Sequence, residues 1–566
     1  MKYLTRILFI TSMFLLFHDI ASAADPIREI QNNAVLHNRS PVLHWGYNPD
    51  NYSTWTSHSL RLVPVYTFGT KGSGSGIDLK SYTKENSPYR SSDALRQIYG
   101  YLPENSLNPQ AEYLDNTNIA DMQQAALSAG KKHIFLVIFD GMDWQTTQAA
   151  ALYYSGKVYK KGRGHGLHFL DYTAGDTTQY GFAVTAPHNE ETETNVNDQT
   201  VLNPGGQLRS GYNSAKGGPN PWSPGNDNKY IIGNKGNGFG EHAYPDSANT
   251  AMAMTSGVKS YKKALNVDHL GGQVSTIAHD AQQEGYAIGI VTSVPLSHAT
   301  PAAAYAHNVS RHDYQDLARD LLGQASISHP HQPLTGMNVV IGGGYGFPAK
   351  DKDVDRQGAN FIPGTAYITS ETISKANVKN GGQYTVAVRT LGQNGHESLK
   401  RAAEEARRKG TRLLGVYGVG KYEGHLPYQT ANGDYQPANG KKDVAEQYTP
   451  ADLYENPTLA EMTASAIKVL SADKEGFWMM VEAGDVDWAN HDTNLDNSIG
   501  AVKSGDDAIK VITDWVERNS NWNESILIVT ADHGHYLNLD QPEVIAAAKA
   551  NEKKSQYKQT NASSGP

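Results

Sequence analysis

The sequence predicts an open α/β sheet, mostly parallel, with helices on both faces. Three observations carry this. Short apolar runs end abruptly at glycine or a polar residue, as buried parallel strands do. Helical patterns separate these runs, so strand and helix alternate along the chain from residue 131 onward. Several runs end at a carboxylate, and in such sheets ligands bind beyond the carboxyl ends of the strands.

In chain order, the expected strands are Ile134–Phe139, ending at Asp140, and Ala287–Val291, ending at Thr292. Met337–Ile341 and Arg412–Val416 each run into glycine-containing stretches. Phe477–Val481 ends at Glu482, and Ile526–Val529 ends at Thr530. Helices are expected over Gly272–Gln283, Glu397–Arg408, Thr458–Leu470 and Ile499–Glu517. Tyr159–Glu241, rich in Gly, Asn, Pro and Thr with little periodicity, reads as a long irregular insertion folded over the surface. The polar tail Asn551–Pro566 reads as mobile.

Residues 1–23 carry the marks of a signal peptide: Lys2 and Arg6, the apolar run Ile7–Phe17, and the A-x-A cleavage pattern Ala21-Ser22-Ala23. No later stretch reaches 18 apolar residues, so no membrane span is expected after cleavage, and export to the periplasm or the medium is expected. The remainder, 24–566, is read as a single domain. A net charge of −9 among 566 residues argues against a general nucleic-acid binder, while leaving room for a small anionic substrate at a metal site. The chain has no cysteine, which excludes disulfides and thiolate ligands alike.

The candidate chemistry is made of carboxylates and histidines. Asp487 and His491, four residues apart, share one helix face and can grip a metal ion, although such a pair is also a common surface feature. Asp532-His533 follows a strand directly, and Glu482 ends another. Oxygen and nitrogen donors of this kind suit Zn²⁺ where histidine is present and Mg²⁺ where all donors are oxygen. Ser247, in Pro245-Asp246-Ser247-Ala248, precedes the helical pattern Asn249–Val258. There it is either a nucleophile facing an anion or simply the helix cap.

Taken together, these motifs resemble the alkaline phosphatase family. The chain has Asp140-Gly141-Met142, Asp246-Ser247-Ala248 and His298-Ala299-Thr300-Pro301-Ala302, with Arg311 thirteen residues after His298. Glu482 through His491 and Thr530-Ala531-Asp532-His533 complete the set, which spans about residues 131–540. The resemblance implies a metal-dependent phosphomonoesterase with a phosphoserine intermediate. In it, Ser247 is the nucleophile and Arg311 holds phosphate. One zinc is held by Asp140, Asp532, His533 and the Ser247 oxygen, and a second by Asp487 and His491. Magnesium is held by Asp140, Thr300 and Glu482, with His298 close behind. Small phosphomonoesters are the expected partners, and a homodimer is left open. A phosphodiesterase on the same metal core and a catalytically silent binding protein are the rival readings.

One family ligand is out of place. The family's third ligand to the second zinc is a histidine well after the T-A-D-H motif, and here none follows His535. The stretch Trp55–Gly69, WTSHSLRLVPVYTFG, looks like the missing strand, and Tyr113–Ala125 looks like the segment that closes it. A circular permutation placing the family's C-terminal part at residues 24–130 makes His58 the third ligand. His242, His188 and His535 are the fallback ligands.

Overall fold

The computed structural model describes residues 25–551 except 224, 228 and 233–241. The proposed signal peptide and nearly all of the polar tail lie outside the described residues. Among the described residues, no helix is long and apolar enough to cross a membrane.

The main sheet has ten strands, numbered here within it: β1 Val63–Phe68, β2 Leu114–Asp115, β3 His133–Phe139, β4 Gln179–Val184, β5 Ala287–Pro295, β6 Val339–Gly343, β7 Tyr384–Val388, β8 Arg412–Val416, β9 Phe477–Ala483 and β10 Ser525–Ala531. Their spatial order is β7-β8-β6-β5-β9-β3-β10-β1-β4-β2. All neighbours are parallel except where β1 lies antiparallel between β10 and β4, so one strand runs against nine. The central strands β3, β9 and β10 are buried almost throughout, which is why they read as unbroken apolar runs.

The helices that matter below are α1 Thr117–Ser128, α2 Ser247–Ser256, α3 Ile277–Gln283, α4 Tyr314–Leu321, α5 Gly395–Lys409, α6 Leu459–Leu470, α7 Asp485–His491 and α8 Leu495–Asn519. Helices α5, α6 and α8 match their expected spans closely. The helix expected from Gly272 begins only at Ile277, because Thr276 caps it by accepting the His279 backbone N–H and Asp268–Gly271 form a turn ahead of it. The strand expected over Met337–Ile341 lies two residues later, since its pairing with β5 and β8 starts at Val339.

Tyr159–Glu241 is not purely a surface insertion. It contributes β4, whose last four residues are buried and which bonds to both β1 and β2. The segment's low periodicity hides this strand and a small antiparallel ribbon of Thr194–Asn195 and Thr200–Val201. The N-terminal segment is equally built in. It supplies β1 and β2, and its helix α1 packs against the serine-bearing helix α2.

A buried ion pair locks this segment down. Lys259 Nζ lies 3.1 Å from Asp115 Oδ1 at the end of β2, and also donates to Asn116 Oδ1 and Ala186 O at 2.6 Å each. Tyr89 donates its hydroxyl to Asp115 Oδ2 at 2.8 Å. Removing one member of such a pair strands the other charge in the interior. Lys259→Met is therefore expected to destabilise the fold by about 3–5 kcal/mol, measured by urea unfolding. A loss under ~1 kcal/mol would mean that the pair is solvated and does not anchor the N-terminal segment.

Candidate active site

The sheet register sets the site. Phe139 pairs with Ala531 on one side and Ala483 on the other, so Asp140 and Asp532 leave adjacent strands at the same level, with Glu482, in register with Ile138, two residues below. Glu482 thus sits inside β9 rather than at its end, and is paired across to Thr292 of β5. Gly141 follows Asp140 with φ +73°, and a β-carbon there would come within 2.8 Å of His535 and 3.1 Å of the Asp487 backbone. Only glycine fits that turn, and its N–H donates to Asp532 Oδ1 at 3.0 Å.

Ser247 is the first residue of α2, and the helix cap is Asp246, which accepts the Asn249 N–H at 3.3 Å. The serine is thereby freed from capping and stands where helix N–H groups favour an anion. Its Oγ donates to Asp140 Oδ1 at 3.3 Å and lies 3.4 Å from His533 Nε2. His533 Nε2 is in turn 3.2 Å from Asp140 Oδ1 and 3.6 Å from Asp532 Oδ2. Asp140, Asp532 and His533 therefore form one buried donor group.

A second group forms around Asp487. His58 donates Nδ1–H to Pro245 O at 2.9 Å, and His491 donates Nδ1–H to Thr56 O at 2.6 Å. Carbonyls only accept, so in the neutral form each ring carries its lone pair on Nε2. Those two nitrogens face each other 3.0 Å apart, each 3.5 Å from Asp487 Oδ1. With both rings in that neutral form, three electron-pair donors converge on one point, an arrangement that suits a cation. His58 reaches this place because β1 is antiparallel: the residues just before it lie at the carboxyl edge of β10, where Ser59 bridges to Gly534.

The third group is all oxygen. Thr300 Oγ1 lies 3.5 Å from Asp140 Oδ2, and Glu482 accepts from Thr292 Oγ1 through Oε2. Glu482 Oε1 is buried without a hydrogen-bond partner. An orphaned carboxylate oxygen beside a threonine hydroxyl and a second carboxylate fits a hard divalent ion.

The titration behaviour points the same way. Burial and the neighbouring Asp140 push Glu482 and Asp532 well above the usual carboxylate range. Burial alone would lower His533, yet Asp532 and Asp140 hold it up at about 10. The protein by itself has too little positive charge here.

Arg311 is clamped rather than free. It donates to Asp246 Oδ2 at 3.0 Å and through Nη2 to His298 Nε2 at 3.3 Å. Its Nε is buried without a partner. Burial and then Arg311 keep His298 well below its ordinary value, hence neutral and able to accept that bond. His58, Ser247, His298, Arg311, Asp487 and His491 all line one cavity of about 580 Å³.

All the expected site residues thus come together, and of the fallback histidines only His535 joins them. Its Nε2–H donates to Asp487 Oδ1 at 2.7 Å, so it holds the carboxylate that the other two histidines face. His188 stacks on His269, and His242 packs on Tyr230, both among other contacts. The Asp246 clamp on Arg311 and the Thr292 contact with Glu482 escaped the sequence reading, because neither leaves a spacing signal.

With this geometry in place, the comparisons with known proteins are direct. A sequence model described as alkaline phosphatase matches residues 208–562. That is well over half of the chain, which belongs to the alkaline phosphatase family. It is 27% identical over 293 residues to alkaline phosphatase 3 of Bacillus subtilis, covering 52% of this chain and 50% of that protein. It is 30% identical over 306 residues to alkaline phosphatase H of Pseudomonas aeruginosa, covering 53% and 60%. The chain therefore matches only about half the length of such relatives. Among solved structures, the Thermus thermophilus alkaline phosphatase aligns with TM-score 0.41 at 20% identity, covering 72% of this chain and 60% of that one.

The far wall of the cavity carries His425, which donates Nδ1–H to Leu426 O and contacts Glu446 Oε1 through Nε2 at 3.0 Å. Burial would lower its pKa, but Glu446 and Asp485 push it up to about 9. A raised folded-state pKa contributes stability that is complete below the unfolded value of about 6.5 and is lost as pH rises through about 9. The gap in melting temperature between the wild type and His425→Gln should therefore shrink from pH 6.5 to 9.5. A gap independent of pH would mean that His425 is neutral in the fold.

Proposed function

We propose that this protein hydrolyses phosphate monoesters through a phosphoserine formed on Ser247. The observation that carries this reading is the convergence of Ser247, the Arg311 fork and three metal-suited donor groups on one edge of the sheet. The donors suit two zinc ions, one with Asp140, Asp532, His533 and Ser247, the other with Asp487, His491 and His58. Asp140, Thr300 and Glu482 suit magnesium. Bound there, these ions supply Lewis-acid charge for the serine hydroxyl, the leaving oxygen and the attacking water.

The chain's own residues do the rest. Ser247 Oγ attacks phosphorus in line, the ester P–O bond breaks, and the alcohol departs opposite the serine. Water then attacks the phosphoserine, releasing inorganic phosphate and restoring the hydroxyl. Arg311, fixed by Asp246 and His298, offers a planar fork to two non-bridging oxygens, and the N-terminus of α2 adds N–H donors. Since phosphoryl transfer has a loose transition state, this positioning and charge balance account for most of the rate.

We infer too that residues 24–130 are the family's C-terminal part carried at the N-terminus, with β1 and His58 in the place of the missing strand and ligand. The antiparallel seating of β1 against β10 supports this. The protein is taken to act outside the cytoplasm on small phosphomonoesters.

Ser247→Ala should leave the fold intact and abolish the phosphoenzyme that acid quenching and peptide mapping detect in the wild type; phosphate trapped on another residue would overturn the assignment. Arg311→Ala should lower kcat/KM by roughly 10- to 100-fold, the equivalent of about 1.5–3 kcal/mol. His58→Ala should remove about one zinc per chain by elemental analysis, and unchanged zinc would contradict its place as a ligand.

A further inference from the structure

A second histidine–carboxylate cluster lies outside the catalytic cavity. One imidazole nitrogen of His307, one of His329 and a carboxylate oxygen of Asp320 all lie within 4.8 Å of one another. None of the three lines the cavity around Ser247. Asp320 closes α4, His307 lies in the loop leading to Arg311, and His329 is in the loop after α4.

The hydrogen bonding decides what this cluster can do. His307 donates Nε2–H to Val274 O at 3.0 Å, so its other nitrogen, Nδ1, holds a lone pair. That atom is buried without a partner on a residue only 6% exposed. A ring whose one N–H is fixed by a backbone carbonyl, and whose other nitrogen is bare, is the usual state of a metal-bound histidine.

The carboxylate is prepared as well. Asp320 is 1% exposed; its Oδ2 accepts the His307 backbone N–H at 3.1 Å, and its Oδ1 accepts from Ser326 Oγ at 2.6 Å. His329 Nδ1 stands 3.0 Å from the same Oδ1, a separation two ligands of one ion at ~2.0–2.2 Å can adopt. His279 stacks on His307 but is not a further ligand: its Nδ1 accepts the Thr276 N–H, which leaves the proton on Nε2.

We propose that His307, Asp320 and His329 form a structural zinc site, separate from the catalytic ions, that pins the loop at 326–329 and α4 to the segment carrying Arg311. Two imidazoles and one carboxylate suit a borderline ion, with water completing four-coordination on the less buried His329 side.

The test is elemental analysis of zinc per chain after loading with Zn²⁺ alone and exhaustive gel filtration. Relative to the wild type, His329→Ala should lose one equivalent of zinc while keeping the phosphoserine-forming site loaded, and its melting temperature should fall in zinc but not in EDTA. Asp320→Asn, which preserves volume, should lose the same equivalent and serves if the alanine variant does not fold. Zinc content equal to wild type in a folded variant would overturn the proposal. So would a melting temperature lowered equally with and without EDTA, which describes a hydrogen-bonded cluster that binds no ion.

Discussion

Four carboxylates buried at one edge of a sheet cannot all be ionised unless positive charge is brought to them. Asp140, Glu482, Asp487 and Asp532 are each at most 3% exposed: the parallel register sets Asp140 and Asp532 side by side just past their strands, Glu482 lies inside β9, and Asp487 follows in helix α7. Their mutual repulsion and desolvation cost stability that a protein would not retain without use. Nearly every other feature of the site answers that charge problem: His533 held as a cation, three histidines turned toward Asp487, and a glycine that lets the β3 turn approach them. The donor groups divide by chemistry, nitrogen and oxygen around Asp487 and His533, oxygen alone around Glu482.

The one antiparallel strand completes the arrangement. A strand entering the sheet in the same direction as its neighbours would deliver the residues before it to the opposite edge, some 20 Å away for a six-residue strand. Because β1 runs the other way, His58 arrives beside His491. Chain order is therefore irrelevant to the site; what counts is which end of which strand faces the carboxyl edge. The same logic explains why the N-terminal segment is tied down by the buried Lys259–Asp115 pair rather than lying loosely on the surface.

Much of this was legible from residues alone. Buried parallel strands announce themselves as apolar runs, and Asp140, Asp532 and the Asp487/His491 pair are tied to those runs by position. His58 was legible only through resemblance, since a lone histidine before an edge of apolar residues has no signature of its own. What stayed hidden depends on tertiary contact: β4 inside a glycine-rich stretch, Asp246 gripping Arg311 from 65 residues away, and His535 contacting Asp487. Each is a pairing across distant segments that no local periodicity encodes.

The most direct test of the account is hydrolysis of p-nitrophenyl phosphate at alkaline pH by protein loaded with zinc and magnesium, with and without EDTA. The account predicts turnover that EDTA abolishes and that zinc together with magnesium restores. A fully metal-loaded, folded chain that leaves the ester intact, or turnover indifferent to the chelator, would contradict it.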